Sequence, residues 1–240
     1  MMKRAYLMEM NVLRGFATSL LATGLLVTAL VGVGMKTAIV APAVLASMCL
    51  MMGAIGSSVY DDQNGWGSYR LTLPVSKRDV VLSRYAAIAT LGLIGSAVGF
   101  AVSLAVMGLA SAVELPGGLS EFLAFSGERV AGMAFATAVC VLIGSAVASV
   151  VTPVYFKLGQ TKATQFLPTV TVGLFVVTPM LLGNSGILEG GAFGLVTDFL
   201  TFVETPAGLA ASMAALLAAS LLMLAASAVV SLGLYGRREL

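Results

Sequence analysis

The residues of this chain that can do chemistry are few, and the most useful of them sit together. Between two long apolar runs lies Asp61–Arg84, DDQNGWGSYRLTLPVSKRDVVLSR, which holds the only Trp and four of the thirteen Lys/Arg. Read as a helix, residues 65–73 place Trp66, Tyr69 and Leu73 at i, i+3 and i+7, on one aromatic and apolar face with Arg70 beside it. Aromatic and Arg side chains on a short helix are the usual anchors of a protein interface, so the chemistry offered is docking. Trp66 and Tyr69 could instead form an aromatic belt at headgroup level. The polar residues between the preceding apolar run and Trp66 weigh against that placement.

Pro74 ends this helix. Ser76-Lys77-Arg78-Asp79 then has the form of a capping box, with Ser76 as N-cap and Asp79, in place of the usual Glu, three residues on. A second helix is predicted from Lys77, running into the next apolar run. A helix, a sharp turn and a helix feeding a span make a lever, through which force on Trp66 reaches the bundle by few soft joints. The candidate interface is Trp66, Tyr69, Arg70, Leu73, Pro74, Lys77 and Arg78.

Bond-making chemistry is poorly supplied. The chain has no His, which removes Ser-His and Cys-His catalysis, HExxH zinc hydrolysis and His-ligated haem together. Cys49 and Cys140 both lie inside apolar runs and read as small buried residues, since one pair without His makes no plausible redox or metal site. No GxxxxGK[ST] run occurs, so no P-loop binds ATP. The expectation is no catalytic residue, no metal and no cofactor in this chain. Any energy for uphill movement must arrive from another polypeptide.

The elements that must position the loop are membrane spans. With 59% hydrophobic and 10% charged residues and a mean hydropathy of +1.01, the chain is an integral membrane protein; a soluble core of this size would need about a quarter charged residues to cover its surface. Apolar stretches of about twenty residues predict six spans: Phe16–Val33, Ala38–Tyr60, Tyr85–Ala110, Val130–Val154, Gln165–Leu182 and Ala207–Leu234. They form one transmembrane domain over 1–240, with a tight turn, Gly34-Met35-Lys36-Thr37, joining the first two. The first apolar run is long enough to span, so Lys3 and Arg4 are not expected to lead a cleaved signal peptide.

Six spans put both termini on one side, together with Asp61–Arg84 and Tyr155–Thr164. That side holds eleven of the thirteen basic residues, leaving Lys36 and Arg129 opposite. The positive-inside rule therefore makes the termini and the Trp66 loop cytoplasmic. Helical projection of Met1–Gly15 puts Lys3, Arg4, Asn11 and Arg14 on one face, with Met2, Tyr6 and Leu13 towards the other. It is expected as an amphipathic helix lying along the cytoplasmic leaflet, its apolar face interrupted by Glu9. On the outer side, Gly183–Pro206 is too Gly-broken to span and too apolar for a solvated loop; it reads as one or two short interfacial helices or as an ordered cap.

Within the spans no Asp, Glu, Lys or Arg is placed at membrane depth, which argues against a coupled secondary transporter. The same composition predicts no buried polar track. Gly95-xxx-Gly99 permits close helix approach, within the bundle or at a dimer seam, the former being the commoner use. Pro168 and Pro179 are expected to bend or break the fifth span. A bent span can line a pathway, though it is more often simply a kinked helix.

The run Trp66–Ala87, WGSYRLTLPVSKRDVVLSRYAA, resembles the cytoplasmic loop of ABC-2 type permeases, in particular a small bacterial branch. Trp66, Tyr69, Thr72, Leu73, Pro74, Val75, Ser76, Lys77, Val80, Val81, Ser83, Arg84 and Tyr85 carry the likeness. That branch includes exporters of amphipathic and bacteriocin-like peptides. The resemblance implies an all-α membrane fold of the type V exporter kind, with an N-terminal interfacial helix and a cytoplasmic coupling helix. It also implies a second permease, identical or paralogous, and separate ABC ATPase subunits that hold ATP and Mg²⁺ and receive the loop in a groove. The location implied is the bacterial plasma membrane, with lipid around the chain and no nucleic-acid partner.

The leading expectation is thus a permease subunit of an ABC exporter moving amphipathic peptides or other hydrophobic cargo. The alternative is a membrane scaffold or immunity protein that binds a partner through the same loop and moves nothing. An intramembrane enzyme fits least, for want of His and of a buried carboxylate pair.

Overall fold

The computed structural model describes residues 2–63, 75–112, 123–184, 198–199 and 201–236, with side chains placed at all of these except 33, 62, 63 and 160–184. Five helices account for nearly all of it: α1 (Met2–Gly34), α2 (Val40–Gln63), α3 (Lys77–Ala112), α4 (Gly127–Asn184) and α5 (Pro206–Gly236). No strand occurs among the described residues. Five segments are long and apolar enough to cross a membrane: Met2–Gly32, Val40–Asp61, Lys77–Ala112, Gly127–Gly159 and Pro206–Gly236.

α1 and α2 form a hairpin through the expected turn. Lys36 adopts a left-handed φ of 51°, and Thr37 N–H donates to Gly32 O at 3.0 Å. That six-to-one bond is a Schellman closure, which satisfies a carbonyl otherwise orphaned at the helix end. α3 starts where the sequence placed it. Ser76 Oγ accepts from Asp79 N–H at 3.1 Å and donates to the Asp79 carboxylate at 2.8 Å. α5 starts with Thr205 as N-cap, its Oγ1 accepting from Gly208 N–H at 3.0 Å, and Pro206 following at the first helical position, where its missing N–H costs nothing.

α2 lies in the middle, packed against α1, α3 and α4, while α5 packs on α4 and α3. Glycines allow this density. A Cβ at Gly95 would sit 2.7 Å from Cys49 Sγ, one at Gly99 would overlap the Pro42 backbone, and one at Gly144 would meet Ser47 Cα at 3.2 Å. The Gly95-xxx-Gly99 pair is therefore filled by α2 of the same chain. Around this centre the bundle is turned inside out relative to a soluble one. α5 buries Ser212, Ser220, Ser227 and Ser231 and exposes Leu221, Leu222 and Val229. Large apolar side chains on the outside are what a lipid solvent asks for.

Three expectations need correction. Met1–Gly15 is not a separate interfacial helix: α1 runs unbroken through Gly15. Its polar face, Lys3, Arg4, Asn11 and Arg14, is exposed as projected. The opposite stripe, Ala5, Glu9, Leu13 and Leu20, is buried against protein. Next, Tyr155–Thr164 is not an open connection. α4 stays helical through it except at Gly159, whose φ of 74° and ψ of 176° divide the helix into arms 127–158 and 160–184. Only glycine takes that conformation without strain. Tyr155 and Phe156 are buried, so the apolar core claims the start of the expected loop.

The last correction concerns the prolines only as helix breaks. The backbone of the second arm is helical through Pro168 and Pro179, and Gly159 is the single non-helical residue inside α4. Membrane helices tolerate such prolines because surrounding groups re-satisfy the freed carbonyls. The residues of the expected fifth span, Gln165–Leu182, fall within this second helical arm.

Candidate functional site: a polar hub at the root of the α2–α3 connection

Trp66, Tyr69, Arg70, Leu73 and Pro74 lie outside the described residues. What is described is the root from which their segment springs. Lys77 and Arg78 are exposed in the first turn of α3, and the Lys77 ammonium lies 5.9 Å from the centroid of the Tyr235 ring at the end of α5.

Two turns into α3 comes Arg84, 2% exposed. Its guanidinium donates from Nε to Glu9 Oε1 at 3.2 Å, and its Nη2 makes a short ion pair with the Asp61 carboxylate. Its flat face lies 4.9 Å from the centroid of Phe156, which in turn packs on Tyr235 with 5.1 Å between centroids. One arginine on α3 thus meets α1, α2 and α4. Its planar fork suits this: two carboxylates take separate N–H edges while an aromatic ring takes the face. Burying three charges is costly, and mutual pairing with hydrogen bonds is what offsets it.

Tyr85, the next residue, turns the other way. Its OH lies 2.6 Å from Ser227 Oγ and 2.8 Å from Ser231 Oγ, both on α5. Ser227 Oγ also donates to the Ser149 carbonyl on α4 at 2.6 Å. That carbonyl is the one Pro153 leaves without its helical N–H four residues on. Because the single Ser227 proton is committed there, Tyr85 must donate to Ser227 and Ser231 must donate to Tyr85. The result is a directed chain from Ser231 through Tyr85 and Ser227 to the α4 backbone. Together Arg84 and Tyr85 bind α3 to every other helix. α1 adds a further tie through Tyr6 OH, which donates to Thr90 Oγ1 at 3.0 Å.

These polar groups correct one expectation, that of no buried polar track. Buried ionisable residues are present at one end of the bundle. A buried hydroxyl seam also runs between α4 and α5, including Ser145, Thr152 and Ser220. Sequence reading treated Glu9 as a blemish on an apolar face and Arg84 as loop charge. Their signal was spacing: Glu9 falls in the Ala5–Leu13 stripe, and Asp61 and Arg84 bracket the polar segment. Beside the seam, α2, α3, α4 and α5 enclose a groove of about 510 Å³, lined among the described residues by apolar side chains such as Leu50, Phe100, Val141 and Leu221, with Ser145 and Thr137 among them.

A helical membrane bundle with a polar hub where α2 and α3 flank the Trp66 segment is the setting in which relatives become informative. Residues 11–236 match the family described as ABC-2 family transporter protein. The chain belongs to the ABC-2 transporter family. No curated protein and no solved structure matches it. Membership makes this ABC-2 chain a multi-pass membrane component of an ABC transporter, the permease part rather than the catalytic one, and associates it with ABC ATPase partners. The match begins beyond Glu9 and takes in Asp61, Arg84, Tyr85 and the whole Trp66 segment.

Proposed function

We propose that this chain is the permease subunit of an ATP-driven exporter, in the plasma membrane of a bacterium with both termini cytoplasmic. It works with a second copy or a paralogue. The segment 61–84 docks on a separate ATPase through Trp66, Tyr69, Arg70 and Leu73, with Pro74 setting the turn and Lys77 and Arg78 the basic rim. The observation that carries this reading is mechanical. α3 begins at Ser76, immediately after the docking segment, and within the next three turns Arg84 and Tyr85 tie it to all four other helices. Force delivered to the start of α3 is thereby shared with all four other helices.

Cargo of low polarity is supported by the apolar groove among α2, α3, α4 and α5, whose polar lining is confined to hydroxyls. Amphipathic peptides fit that chemistry. Either α2 or the second arm of α4, with Pro168 and Pro179, is the candidate pathway lining. ATP and Mg²⁺ belong to the ATPase, and this chain holds no cofactor.

The test is purification of the tagged chain from its native membranes, assayed for vanadate-sensitive ATP hydrolysis. Wild type should bring down that activity, and Trp66→Ala combined with Tyr69→Ala should lose it while still inserting. Burial of two aromatics and a Leu is worth several kcal/mol at ~25 cal/mol per Å² of apolar surface, ample for such a loss. A double variant that keeps its ATPase would reject the assignment and favour another docking surface.

A further inference from the structure

We infer that Glu9 is a positioning residue that locks α1 in register with the root of the docking loop, so that α1 moves when the loop is driven. The inference rests on the permease reading above and concerns how motion spreads inside the bundle.

Glu9 is 3% exposed. Its neighbours on the buried stripe of α1 are Ala5 and Leu13, so a Leu at this position would continue the stripe. Replacing a whole buried ion cluster by apolar residues of similar volume is commonly neutral or stabilising, so stability alone gives no account of charged groups here. What the carboxylate supplies is direction: its Oε1 accepts from Arg84 Nε–H at 3.2 Å, a contact fixed in both distance and angle.

The location gives that direction a use. Arg84 also pairs with Asp61, in the last turn of α2, so the two stems of the docking segment are already clasped. Glu9 adds α1 to the clasp. Apolar packing between α1 and its neighbours could slide under load; a buried, hydrogen-bonded ion pair holds one register or breaks.

The experiment uses the permease–ATPase complex in nanodiscs, with Cys49 and Cys140 replaced by Ala. A single spin label is placed at Leu30→Cys on α1 or at Leu109→Cys on α3, both exposed. Spectra are compared without nucleotide and after vanadate trapping with ATP. With Glu9 present, both labels should respond. In Glu9→Leu, where Arg84 keeps its pairing with Asp61, the ATPase should still co-purify and hydrolyse ATP, with a lowered melting temperature because one partner of a buried pair is lost. There the Leu109 label should respond and the Leu30 label should not. Glu9→Gln, whose amide oxygen still accepts from Arg84, should restore the α1 response. A Leu30 label that responds fully in Glu9→Leu overturns the inference. So does a Glu9→Leu chain that fails to fold or to bind its ATPase, since Glu9 would then serve architecture or docking. If neither label responds in the Glu9 complex, it is the permease reading that fails.

Discussion

At the scale of single residues the molecule turns on two consecutive side chains. Successive helical positions point about 100° apart, so Arg84 and Tyr85 face different neighbours. Arg84 takes the charged partners, Glu9 and Asp61, and Tyr85 takes the hydroxyls of α5. Arg84→Leu takes the guanidinium away from the buried Glu9 carboxylate and from the half-buried Asp61. It should destabilise the chain by on the order of 3–5 kcal/mol, read as a loss of SDS resistance or a lowered melting temperature. The triple variant Arg84→Leu, Glu9→Leu, Asp61→Asn removes every member of the cluster together and should recover most of that loss. Tyr85→Phe removes two neutral hydrogen bonds and should cost only roughly 0.5–2 kcal/mol, since such bonds between membrane helices are individually weak. An Arg84→Leu chain as stable as wild type would mean that water reaches this site and that the hub is not dry.

At the scale of elements the sequence foretold most of what local rules govern. The tight turn at Gly34–Thr37 and the Ser76 cap were legible, because each is a contest settled within a few residues. Where a local rule had to compete with tertiary packing, it misled. Glu9 looked wrong for a buried face until Arg84, far off in sequence, supplied its partner. Pro168 and Pro179 looked like bends or breaks, yet the backbone break is at Gly159, and the carbonyl freed by Pro153 is taken by Ser227. Nothing local marks Ser227 as the donor that satisfies Ser149 O. The glycine face of α3 makes its own forecast. Gly99→Ala drives a Cβ into the Pro42 backbone, whereas a Cβ at Gly108 on the same helix meets open space. The first substitution should cost about 1–3 kcal/mol by overpacking; the second should be neutral or gain up to ~1 kcal/mol from helix propensity. Denaturant unfolding of the two variants side by side separates packing from propensity, and equal effects would refute the close α2–α3 approach.

At the scale of the whole molecule the bundle has two chemically different ends. One gathers the start of α1, the end of α2, the start of α3 and the end of α5, held by the Arg84 cluster and by the stacked Phe156 and Tyr235 rings. Lys3, Arg4, Arg14, Lys77, Arg78 and Lys157 belong to this end. At the other lie the α1–α2 turn with Lys36 and the start of α4 with Arg129, where a Cβ at Gly132 would touch Ile39. The asymmetry of basic residues is thus an asymmetry of the folded object as well as of the sequence. By the positive-inside rule the hub end is expected on the cytoplasmic side, as proposed above. An ATPase can reach the Trp66 segment only in that orientation. In a chain freed of Cys49 and Cys140, single cysteines at Gly118 and Gly190 should react with an impermeant maleimide in intact cells. One at Gln63 should react only after the membrane is opened. Labelling at Gln63 from outside, with Gly118 protected, would turn the bundle over. It would put the docking segment out of reach of ATP and end the case for a permease driven through it.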